Sequence, residues 1–62
     1  MSTATGELIR MMNFVDDIST TLRRIAANIP FMTEEERKRL ADYMRKAEPS
    51  YPGMIEKLEK GS

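Results

Sequence analysis

An apolar heptad repeat between Leu8 and Ile29 is the feature that most constrains how this chain can fold. Its members follow one another at alternating steps of three and four residues: Leu8, Met11, Val15, Ile18, Leu22, Ile25 and Ile29. This spacing places one apolar stripe along an α-helix, at the a and d positions that face a neighbouring helix in coiled coils and bundles. The pattern predicts a first helix over about residues 5–28, which Pro30 ends because a proline disfavours helical backbone in the residue before it.

The apolar arc of this helix is wider than the seam of a two-stranded coiled coil. Met12 and Ala26 extend it on one side and Phe14 on the other. An arc of this width is typical of a helix with neighbours on two sides, as in a four-helix bundle. The opposite face is polar and is expected to be solvated; it carries Arg10, Asn13, Asp17, Thr20 and Arg24.

Two further helices are predicted after the Pro30 turn. Thr33 followed by Glu36 is a capping box, in which each residue satisfies a free backbone amide of the other; a second helix should run over about 34–48 and end before Pro49. A short third helix is expected over about 51–60. The fold class is therefore all-α, with residues 1–62 forming one small helical domain.

A chain of 62 residues buries a small core and is marginally stable alone. It contains no Cys, so no disulfide can reinforce it. Folding back at the Pro30 turn gives a helical hairpin that brings Leu40 near Leu22 and Met44 near Ile18, which covers one side of the first helix. The uncovered side predicts a homodimer in a helix bundle. The residues expected to mediate self-association are Met11, Phe14, Val15, Ile18, Leu22 and Ile25.

Catalytic chemistry is not expected from this composition. The chain has neither His nor Cys, and the adjacent carboxylates Asp16 and Asp17 point about 100° apart on a helix. No cofactor and no metal site are predicted. The sequence favours a non-catalytic protein–protein interaction module, acting as a regulator, inhibitor or adaptor of a larger protein. Its expected partner contacts are apolar or aromatic residues outside the repeat, Phe31, Met32, Tyr43 and Tyr51, because aromatic side chains are enriched at interface hot spots.

A small dimeric nucleic-acid-binding regulator is the alternative interpretation. It would use basic clusters at Arg23, Arg24, Arg37, Lys38 and Arg39. Acidic residues interleave with these clusters, and ten basic and ten acidic residues give a net charge of zero. Compact nucleic-acid binders usually present a basic face, so this interpretation is less favoured.

Neither a membrane partner nor secretion is expected. No apolar run approaches the ~20 residues of a membrane span. The first helix has no Lys/Arg-rich polar face, and the chain has no Trp to anchor it at a lipid interface. The N-terminal residues lack the basic and apolar regions of a signal peptide. A cytoplasmic location is therefore the expectation.

Overall fold

A computed structural model describes residues 5–61, and the described chain is helical almost throughout. Its elements are the helix α1 (Thr5–Asn28), a 3₁₀ turn (Ile29–Phe31), and the helices α2 (Glu34–Lys46) and α3 (Tyr51–Lys60). No strand occurs in this range. The predicted all-α class, with two longer helices and a short C-terminal one, is confirmed.

The chain divides into two compact units between Phe31 and Met32. The N-terminal unit holds α1 and the 3₁₀ turn, and the C-terminal unit holds α2 and α3. Three parts of the predicted architecture therefore stay predictions: the single domain over residues 1–62, the hairpin and the dimeric bundle. Residues 1–4 and 62 lie outside the described range.

The end of α1 follows from Pro30. The helix ends at Asn28, and Ile29 leaves the α-helical conformation and begins the 3₁₀ turn. Polar side chains bond back to the helix's own backbone: the Thr20 and Thr21 hydroxyls donate to the carbonyls of Asp16 and Asp17, at 3.1 and 3.0 Å. The Asn28 side-chain amide likewise donates to the Arg24 carbonyl oxygen, at 2.8 Å.

The start of α2 is the capping box predicted from Thr33 and Glu36. The Thr33 hydroxyl accepts from the Glu36 backbone N–H at 3.1 Å, and the Thr33 N–H donates to the Glu36 carboxylate at 2.9 Å. Glu34, Glu35 and Glu36 occupy the first turn, where negative charge is stabilised by the helix dipole.

The end of α2 comes two residues before the expected Glu48. Lys46 is the last helical residue, and Ala47 caps the helix with extended backbone (φ −66°, ψ 136°) and an N–H bond to the Met44 carbonyl. Pro49 supplies the physical reason: it has no N–H to bond the carbonyl four residues earlier, and it disfavours helix at Glu48.

The short helix α3 carries a cap at each end. The Ser50 hydroxyl accepts from the Gly53 N–H at 3.1 Å, and Pro52 occupies the first turn. A Cβ at residue 53 would lie 2.8 Å from the Ser50 hydroxyl oxygen, so a larger residue there would require the Ser50 side chain to shift. At the other end Gly61 adopts left-handed backbone (φ 89°) and donates its N–H to the Lys57 carbonyl at 2.8 Å.

Removing the α2 cap should reduce helix content and stability. We expect Thr33→Ala to lower the free energy of unfolding by about 1 kcal/mol, because the Glu36 amide loses its acceptor. Circular dichroism during thermal unfolding measures the effect. Thr33→Ser keeps the hydroxyl and should stay close to wild type; equal stability of the Ala and Ser variants would contradict the role of the cap.

Candidate protein-interaction surface

The apolar stripe of α1, defined by the seven heptad residues from Leu8 to Ile29, is open to solvent. At its centre Val15, Ile18 and Leu22 expose 42%, 43% and 44% of their surface. Ile25 is half-buried, and no side chain within residues 6–61 is fully buried. One chain therefore presents a continuous row of aliphatic side chains that water covers in part.

The two edges of the stripe are apolar as well. Met12 and Ala26 are exposed on one side and Phe14 on the other, as the sequence pattern places them. Ile9 was not among the apolar residues predicted for this surface. It is also exposed and lies one turn before Met12. Its spacing of three residues from Met12 is the signal that would have found it.

The predicted partner-contact residues differ in exposure and in location. Phe31, which closes the N-terminal unit, exposes 85% of its surface, and Tyr43 on α2 exposes 76%. Tyr51 is exposed at the start of α3, whereas Met32 is half-buried. Exposed aromatic rings are suited to partner binding, and that role stays a prediction for all four residues.

One further exposed apolar residue was not among the predicted contacts. Leu58 on α3 is 75% exposed. Its helical spacing from Met54 and Ile55 indicates a shared apolar face on α3, and this spacing is visible in the sequence.

The basic residues of the nucleic-acid interpretation lie in both units. Arg23 and Arg24 belong to α1, and Arg37, Lys38 and Arg39 belong to α2. Several of them already have local partners.

Lys38 pairs with Glu34 at 3.5 Å. The Arg37 guanidinium donates to the Met32 carbonyl at 3.0 Å, and Arg23 donates to the Thr20 hydroxyl at 3.2 Å. These contacts hold the basic groups close to the chain's own acceptors.

Neither a metal-binding cluster nor a membrane-spanning helix is found in the described range. Residues 5–61 contain no group of three or more acidic side chains placed to hold a metal ion. None of the described helices combines the length and apolarity needed to cross a membrane.

No family model matches the chain, and neither curated proteins nor solved structures show a similarity to it. The exposed surfaces of its helices are therefore the basis for a functional proposal.

The nucleic-acid interpretation has a direct test. We expect the protein to pass through a heparin column at low salt without retention, because acidic side chains accompany its basic ones on α2. Retention that falls steeply with salt and is lost in Arg37→Glu would favour the alternative function instead.

Proposed function

We propose that this protein is a non-catalytic protein–protein interaction module that acts as a regulator, inhibitor or adaptor of a larger protein. The proposal includes a homodimer formed through α1. The observation that carries the proposal is the half-exposed aliphatic row at the centre of α1, Val15, Ile18 and Leu22. A helix with such a stripe gains stability when another apolar surface covers it.

The energetics of the stripe support association. Complete burial of one aliphatic side chain is worth about 1.5–3 kcal/mol, so covering the exposed half is worth roughly 1 kcal/mol for each. The predicted self-association residues supply this gain from both chains: Met11, Phe14, Val15, Ile18, Leu22 and Ile25. Because association also costs translational and rotational freedom, the dimer should be stable but dependent on concentration.

The proposal includes a helical hairpin in each subunit. Leu40 and Met44 on α2 supply the apolar side chains that would pack against one edge of α1, and the second subunit would cover the rest. The larger protein would then bind through the aromatic residues outside the bundle, chiefly Phe31 and Tyr43. A cytoplasmic location belongs to the same proposal, and fractionation of host cells tests it.

A charge placed in the stripe should abolish the dimer. We expect Ile18→Asp to raise the dimer dissociation constant at least about hundredfold, because the carboxylate would lose its hydration in an apolar interface. Sedimentation velocity over a dilution series measures the effect, and circular dichroism reports the accompanying loss of helix.

Thr20→Asp is the matched control, since it adds the same charge on the opposite face of α1. It should leave the dissociation constant near that of wild type. A wild-type chain that stays folded and monomeric at every concentration would contradict the homodimer.

The partner-contact role of the aromatic residues can be separated from self-association. We expect the double variant Phe31→Ala/Tyr43→Ala to remain a dimer but to lose a stoichiometric partner that tagged wild-type protein captures from host lysate. Leu58→Ala removes a comparably exposed apolar side chain and should retain the partner. Capture that is unaffected by the double variant would exclude these two rings as the contact.

A further inference from the structure

Sulfur occurs in this chain only as methionine thioethers. The sequence contains six Met and neither Cys nor Trp, so these thioethers are the side chains that a hydroperoxide oxidises most readily. Four of them lie on the described helices: Met11 and Met12 on α1, Met44 on α2 and Met54 on α3. Each of the three helices therefore carries at least one oxidisable sulfur.

The two methionines of α1 differ from the others in exposure and in position. Met12 exposes 56% of its surface, which is the largest fraction among the methionines within residues 6–61. Met11, Met44 and Met54 are exposed to a smaller extent, and Met32 is half-buried. Met11 belongs to the apolar stripe and Met12 borders it. Two adjacent thioethers thus lie on the surface that the proposed homodimer would bury, and both are open to solvent in a single chain.

A hydroperoxide converts a thioether into a sulfoxide. The sulfur lone pair attacks one peroxide oxygen, so an S–O bond forms as the O–O bond breaks. The departing hydroxide takes up the proton of the transferred hydroxyl and leaves as water. Sulfur loses two electrons and the peroxide gains them. The product is a polar side chain with a hydrogen-bond acceptor oxygen in place of a flexible apolar one.

We propose that Met11 and Met12 form an oxidation switch for self-association, in which their conversion to sulfoxides by a hydroperoxide dissociates the homodimer. This inference rests on the proposed homodimer and adds its regulation. A sulfoxide oxygen enclosed in an apolar interface loses its hydrogen bonds to water, and this loss opposes association. Each subunit contributes both residues, so the cost is incurred twice in every dimer.

Oxidation and association compete for the same surface. Met11 is one of the residues proposed for self-association, so the dimer would shield its sulfur, whereas the free chain exposes it. Because the dimer depends on concentration, some free chain is always present, and its oxidation withdraws it from the equilibrium. The rate of sulfoxide formation at Met11 should therefore fall as the protein concentration rises.

The modification is reversible, as a switch requires. Methionine sulfoxide reductases, one for each sulfoxide epimer, regenerate the thioether. The electrons come from a dithiol, which becomes a disulfide as water is released. Because the chain itself has no Cys, the same oxidant cannot cross-link it through a disulfide. Loss of apolar surface is then the consequence of oxidation that affects association.

Substitution by leucine tests the two switch residues. Leucine keeps the volume and apolarity of methionine but has no sulfur, so Met11→Leu/Met12→Leu should form the dimer as wild type does. After treatment with hydrogen peroxide, we expect the dissociation constant of wild type to rise at least about tenfold. That of the leucine variant should stay near its untreated value. Sedimentation velocity over a dilution series measures both.

Met44→Leu/Met54→Leu is the matched control, since it removes two sulfurs from α2 and α3 and leaves those of α1. It should remain as sensitive to peroxide as wild type. Peptide mass spectrometry reports the sulfoxide at each position. Treatment of the oxidised wild type with both reductases and dithiothreitol should restore its original dissociation constant.

The outcomes distinguish the switch from the homodimer. Three results would overturn the switch and leave the homodimer standing: a dimer that persists with Met11 and Met12 oxidised, sulfurs at these positions that resist peroxide, or equal loss of association in Met11→Leu/Met12→Leu. A wild-type chain that is monomeric before any oxidant is added would overturn both proposals.

Discussion

The need to cover the apolar stripe of α1 is the physical constraint on which the proposed assembly depends. Helices in water gain most of their stability from packing an apolar face, and α2 and α3, with 13 and 10 residues, are near or below the length at which a helix is stable alone. The stripe from Leu8 to Ile29 is the longest apolar surface that the chain offers. Its central side chains remain about half exposed in one chain, so folding and association are expected to be coupled.

The ends of the helices depend on much more local chemistry. Thr33 and Glu36, three residues apart, each accept a hydrogen bond from the other's backbone N–H. At the start of α3 the Ser50 hydroxyl accepts a hydrogen bond from the Gly53 N–H. Pro30 and Pro49 end the preceding helices through backbone sterics alone. Because these interactions span few residues, they require no particular tertiary arrangement.

The charges of the chain divide into two groups with different physical consequences. Those on α2 and α3 form pairs within one helical turn, such as Lys38–Glu34, and such exposed pairs contribute little to stability. Those on α1 form no ion pair within the described range. In the proposed homodimer, burial of the apolar stripe would supply the driving force for association.

The amino-acid sequence was enough to derive the all-α class, the end of α1 before Pro30 and the capping box at Thr33, because periodicity and capping act over a few neighbouring residues. The sequence predicted an end of α2 at about residue 48, whereas the helix ends at Lys46. The hydrophobic pattern does not show how many residues before Pro49 leave the helix. The exposure of each side chain was decided only by the three-dimensional structure: Phe31 and Tyr43 are open whereas Met32 is half-buried, although all are apolar or aromatic. The exposure of a side chain depends on which atoms surround it in space, whereas the hydrophobic pattern specifies only which face of a helix is apolar. For the same reason, periodicity does not specify which surface would cover α1 in the proposed assembly.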